Sequence, residues 1–170
     1  MEILDNEIDI YISSEEHEWK IFIGNNSDYY IPIWQKFQKQ DTKVHFHLFA
    51  LIFSVYWLGF RKMYKYAIVY LLFVQIVPLL ILFLLGANGQ IQAQLMLFLF
   101  LPFFGLFGNW VYYNHAQKTI ATIKRTHPNE TSQQKAIEEA GQTNVAFPFI
   151  LLFLSLFIGN FVTLILSFFY

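Results

Sequence analysis

The chain has 170 residues, of which 56 % are apolar, 20 % aromatic and only 14 % charged, with a formal net charge of −1. An ordinary soluble domain carries about 25 % charge; so few charged groups cannot cover 20 Phe, and a membrane solvent is the direct explanation. The balanced charge predicts no nucleic-acid partner, because nothing is left over to neutralise phosphates. The absence of Cys excludes disulfides, thiolate metal sites and Cys nucleophiles.

Residues 1–43 form the polar part. Met1 to Asp9 is acidic, without the basic start and apolar run of a cleavable signal. Ile8–Ile12 and Trp19–Ile23 alternate or run apolar about a polar stretch, which predicts a β-hairpin. Gly24-Asn25-Asn26-Ser27 punctuates the chain, and Ser27 is placed to cap a helix from Asp28 to about Gln40. In that helix Tyr30, Ile33, Trp34 and Phe37 share one face, opposite Gln35, Lys36, Gln38 and Lys39. Such a face packs on its own chain or lies in a membrane interface, and the first is the commoner use.

Residues 44–170 read as a helical membrane domain. Val44–Phe60 is apolar, but as a helix it extends roughly 25 Å, short for a hydrocarbon core of about 30 Å. Ala67–Gly86, Ile91–Tyr113 and Val145–Tyr170 are long enough to cross. The connection 114–144 is polar: it extends the preceding helix to Thr126, breaks at His127-Pro128-Asn129, and restarts at Thr131 or Ser132 for a short helix that Gly141 stops. Basic residues near the apolar ends orient the whole. Arg61, Lys62 and Lys65 lie in one connection and Lys118, Lys124, Arg125 and Lys135 in another, whereas Ala87–Gln90 carries none. The two basic loops are therefore expected in the cytoplasm and the C-terminus outside. If Val44–Phe60 crossed, Lys20, Lys36, Lys39 and Lys43 would move outside. Charge and length together favour an all-α membrane protein of three transmembrane helices plus one re-entrant or interfacial helix, with a cytoplasmic N-terminal region. Four spans is the alternative. Tyr56, Trp57, Tyr64, Tyr66, Trp110, Tyr112 and Tyr113 lie at the cytoplasmic ends, as in an aromatic belt.

Several constellations bear on function. Ser155, Gly159, Thr163 and Ser167 recur every four residues, with Asn160 beside them, and Gly105 and Asn109 make a shorter version. Small residues let helix backbones approach closely in lipid, so this stripe fits packing of the last two spans on each other or an interface with a second copy or a partner. Gln75, with Pro78 close after it, is expected to pair with a carbonyl that the proline frees. No ionisable group lies deep in a span, which argues against a proton-coupled carrier. His45, His47 and His115 approach one face, but no carboxylate or Cys stands at ligand spacing, so no metal and no other cofactor is expected. No phosphate loop or catalytic signature is present, and no catalytic residue is assigned. Arg61, Lys62 and Lys65 suit a membrane anchor or the grip on an anionic lipid head group.

The run Trp57-x-x-x-Arg61-Lys62-Met63-Tyr64 resembles the hallmark of the small bacterial inner-membrane proteins grouped as domain of unknown function 2628. So do Gly24–Tyr30 with Trp34 and Phe37, the run Gly108–Tyr113, and His127-Pro128-Asn129 with Glu138–Thr143. His45-Phe46-His47 stands where members often have Phe-Asn-Trp. The resemblance covers about Ile21 onward and implies a bacterial cytoplasmic membrane protein with a cytoplasmic N-terminus. It brings no activity or substrate. Two functional readings follow: a non-enzymatic scaffold or accessory subunit holding itself or a partner through its helices, or a subunit of a small oligomeric channel or carrier lined by Gln75, Asn109, Asn160 and Thr163.

Overall fold

The structure is a computed structural model, and it describes residues 14–40, 42–86 and 89–166. Among these residues every regular element is helical. They are α1 (residues 14–23), α2 (Ser27–Gln40), α3 (Leu48–Phe60), α4 (Tyr64–Leu85), α5 (Gly89–Thr126), α6 (Glu130–Gly141) and α7 (Ala146–Leu166), with a 3-10 turn Gly24–Asn26 between α1 and α2. The chain divides into two compact units: Met1–His45 with Asn109–Gln142, and Phe46–Gly108 with Thr143–Tyr170.

The first unit replaces the expected hairpin with a helix. Ile8–Ile12 lies outside the described residues, and Trp19–Ile23 is helical. As a helix the segment sets Trp19, Phe22 and Ile23 at i, i+3 and i+4, and all three are buried against the rest of the unit. The acids between the apolar residues face outward, where Glu16 pairs with Lys20 at 3.2 Å and Glu18 with Lys124 at 2.6 Å. Helix α1 ends because Gly24 takes φ +67°, the left-handed region open to glycine. Ser27 is already helical (φ −55°, ψ −41°), so the 3-10 turn, rather than a serine cap, leads into α2. The face Tyr30, Ile33, Trp34 and Phe37 is buried, as is Ile31, and packs on its own unit. The Trp34 ring meets Trp19 at 5.7 Å, Tyr112 at 5.3 Å and Tyr113 at 5.6 Å between centroids, mostly edge to face, the arrangement that aromatic quadrupoles favour.

Helix α5 does run on to Thr126, and His127–Asn129 interrupts it before α6. Asn129, not Thr131 or Ser132, takes the extended backbone of the cap position; Ser132 Oγ instead donates to the Asn129 carbonyl at 2.7 Å. Gly141 is the last residue of α6, and the packing there leaves no room for a side chain. A Cβ there would collide with the Phe22 carbonyl, so the two helix ends meet backbone on backbone.

In the second unit α3 packs on both α7 and α4. Residues 42–47 are not helical, so the segment Val44–Phe60 yields a helix of only 13 residues, interrupted at Ser54 (φ 38°, ψ −108°). Helix α4, with 22 residues, is long and apolar enough to cross a membrane. The interrupted pairs Ile91–Phe100 with Phe103–Thr126, and Glu130–Gly141 with Ala146–Phe161, would raise the number to as many as three if each is one span. Large apolar side chains cover the outside of this unit: Phe83, Phe98, Phe153 and Phe157 are 83 %, 73 %, 71 % and 71 % exposed.

Candidate functional site

The basic connection 61–65 is where the chain leaves α3 for α4, and its backbone is a helix C-cap. Lys62 N–H donates to the Gly59 carbonyl at 3.1 Å and Met63 N–H to the Leu58 carbonyl at 2.9 Å, the paired bonds of a Schellman motif. That motif needs a left-handed residue at the first position past the cap. Here it is Lys62, at φ +57°, where glycine would be less strained. Arg61 is only 6 % exposed and its guanidinium carbon lies 5.9 Å from the Phe60 ring centre, so it is no simple surface anchor. Lys62 is half-buried and Lys65 is exposed.

Around this joint, Asn144 ties three helices together. Its N–H donates to the Phe60 carbonyl at the end of α3 (2.8 Å), and its Nδ2 donates to Tyr64 Oη at the start of α4 (2.8 Å). Its Oδ1 accepts from Ala146 N–H and Phe147 N–H at the start of α7 (3.0 and 3.1 Å). The Tyr64 and Phe147 rings meet at the joint, tilted by 45° with centroids 4.3 Å apart, and Gly59 leaves room for Phe147 and Leu151: a Cβ there would lie 2.8 Å from both. Reading the chain for charge and small residues missed Asn144, although an Asn just before an apolar run is a helix-start signal.

The small and amide residues are used separately. Gly105 faces α3, where a Cβ would lie 3.0 Å from Leu51, and its carbonyl accepts from His47 N–H at 2.7 Å. Gly108 is tighter, with a Cβ 2.8 Å from that of Ala50. Gly105, of the shorter stripe, and Gly108, outside it, thus let α5 approach α3. Ser155 Oγ lies 3.5 Å from Tyr56 Oη, and the Ser155 carbonyl accepts from Gln75 Nε2 at 3.2 Å. Gln75 therefore bonds across to α7 rather than to a carbonyl freed by Pro78. Asn160 Nδ2 donates within α7 to the Leu156 carbonyl at 2.7 Å. Among the described residues, a Cβ on Gly159 would meet nothing within 4 Å. The Thr163 side chain and the whole of Ser167 lie outside the described residues. Asn109 is fully buried; its Nδ2 lies 2.9 Å from His45 Nδ1, and its Oδ1 has no hydrogen-bond partner among the described residues.

The histidines have separate occupations. His47 caps α3, its Nδ1 accepting from Ala50 N–H at 2.8 Å, with its ring 5.1 Å from Trp57. His115 packs on Phe22, and burial pushes its pKa below the ordinary histidine value. No group of three potential metal ligands occurs among the described residues. Two of the expected belt aromatics are interior: Tyr112 is fully buried in the first unit, and Trp57 lies beneath His47 in the second.

The described chain is thus all-helical, with one unit of exposed apolar helices that holds the capped basic turn and one unit with an aromatic core. Residues 24–118, more than half of the chain, match the family described as Protein of unknown function (DUF2628), and the chain belongs to that family. The match takes in the Arg61–Tyr64 run and Gly108–Tyr113, and ends before the 127–143 run. No curated protein and no solved structure matches the chain.

Proposed function

We propose that this is a small polytopic protein of the bacterial cytoplasmic membrane, a non-enzymatic scaffold or accessory subunit that holds itself or a partner through its membrane helices. In this reading α4, the apolar part of α5 and α7 are spans, and α3 is re-entrant or interfacial. Residues 1–43 and 114–144 face the cytoplasm, and the C-terminus lies outside. At 13 residues α3 reaches about 20 Å, too little for a core of about 30 Å, and the break at Ser54 shortens it further.

The observation that carries the scaffold reading is Gln75 of α4, whose Nε2 is taken up by the Ser155 carbonyl of α7. Asn109 pairs with the His45 ring, and exposed Asn160 bonds within its own helix. A pore or carrier subunit needs such groups turned to a passing solute, whereas a scaffold consumes them in holding helices together. The apolar outer surface of the second unit, far above what water tolerates, supports a lipid or protein covering.

The test is the mass of the full chain in nanodiscs, with whatever co-purifies, beside Gly159→Leu. Because a Cβ at 159 would meet nothing within 4 Å among the described residues, the substitution probes the outer side of α7. A discrete homo-oligomer or stoichiometric complex, lost in the variant, is expected. A monomer whose size and thermal stability the substitution leaves unchanged overturns the reading.

A further inference from the structure

None of the chain's 12 acidic residues falls in Phe46–Gly108 or Thr143–Tyr170, and the only Lys and Arg of that unit are Arg61, Lys62 and Lys65. All of the unit's formal charge is therefore positive and sits in one turn between two apolar helices. Topology alone would be served by basic residues scattered along either loop and mixed with acids. The backbone also holds this charge in place. The capping bonds of Lys62 and Met63 pin the turn, and a lysine is kept in a left-handed position better suited to glycine. Lys65, on the first turn of α4, is exposed, and the next residues outward along that helix, Ile68, Val69 and Leu72, are exposed apolar ones. Exposed Tyr66 lies between. Cation, aromatic and hydrocarbon surface thus follow one another within about two turns, the order in which a bilayer presents headgroup, interface and acyl chain.

We propose that this turn binds the phosphate-bearing headgroups of anionic phospholipids, through Lys62 and Lys65, with Arg61 adding its charge from beneath. This rests on the membrane reading above. The apolar surface beside the cations selects a lipid rather than a free anion, because a lipid fills both parts of the surface with one molecule. Near a membrane surface each basic residue is worth roughly a fivefold preference for anionic lipid.

The experiment first asks whether the full chain floats with vesicles of phosphatidylcholine alone. It then reconstitutes the chain in equimolar phosphatidylglycerol and phosphatidylcholine and reads the two lipids retained on the extracted protein by native mass spectrometry. The expected result is retention of phosphatidylglycerol over phosphatidylcholine, falling about 25-fold in Lys62→Gln/Lys65→Gln. Lys135→Gln, an exposed lysine of the other unit, should leave the preference unchanged. Flotation without any preference overturns the headgroup site and leaves the membrane reading standing. An equal fall in Lys135→Gln also overturns the site, since the preference would then follow total charge. Failure to float overturns both.

Discussion

The two units of this chain place their large apolar side chains differently. In the first, Trp19, Phe22, Tyr30, Trp34 and Tyr112 are interior, and a rim of Glu15, Glu16, Glu18, Gln35, Gln38 and Lys124 is bonded across the surface. In the second, Phe83, Phe98, Phe153 and Phe157 are outside, while the contacts between helices include close approaches at Gly59, Gly105 and Gly108, the bonds of Gln75, Asn144 and the His47 N–H, and the ring pairs Tyr70–Phe104 and Phe73–Phe100. Water rewards hiding rings. Lipid, the surroundings proposed for the second unit, does not, so close backbone approach and hydrogen bonds take a larger share there. The first unit hides its rings and keeps a close backbone approach at Gly141; the second leaves rings outside and brings helices together at Gly59, Gly105 and Gly108.

Substitutions can break or sharpen this contrast. The largest effect is expected at Gly141, whose Cβ would collide with a backbone carbonyl rather than a side chain that can move aside. Gly141→Ala should cost the first unit about 3 kcal/mol, read as a lower urea midpoint of tryptophan fluorescence, and should leave the helicity of the second unit intact. If both units melt together, they are not independent and the contrast fails. Next, Asn144→Ala removes the cap of α7 and its ties to α3 and α4, and should destabilise the second unit by about 2 kcal/mol in a thermal melt in detergent. A smaller and opposite effect is expected from Lys62→Gly. Relieving the left-handed lysine should stabilise by up to about 1 kcal/mol while removing one charge from the turn; a loss of stability would mean that the lysine side chain supports the joint.

The smallest effect concerns pH. Burial lowers the pKa of His115 in the folded chain, so on acidification the unfolded state takes up the proton first. The stability contributed by the neutral ring is present above the unfolded value of about 6.5 and is lost as pH falls through the lower folded value. His115→Phe should remove that acid-side slope from the first unit's unfolding curve. An unchanged slope would trace it to another group.

Much of the helical plan was legible in the residues. The end of α5 at Thr126, the break at His127-Pro128-Asn129, the stop at Gly141 and the inward face of α2 follow from proline, glycine and a period of 3.6, all local properties. The Trp19–Ile23 strand failed because five residues fit both periods, and only the ring contacts of Trp19 and Phe22 with Trp34, Tyr112 and Tyr113 choose between them. The candidate site divided in the same way. Its basic residues were visible as charge, but the burial of Arg61 and the left-handed turn at Lys62 were not.

By itself, then, the sequence determined the helical class, the apolar segments, the places where helices stop and the clustering of positive charge, because each depends on a residue and its near neighbours. Tertiary structure alone decided what each polar group is for. Gln75 and Ser155 are 80 positions apart, as are Asn144 and Tyr64, and His45 and Asn109 are 64 apart. No local rule pairs residues at such distances. A polar group that burial cuts off from water must find its partner in the fold, and the fold is where that choice is made.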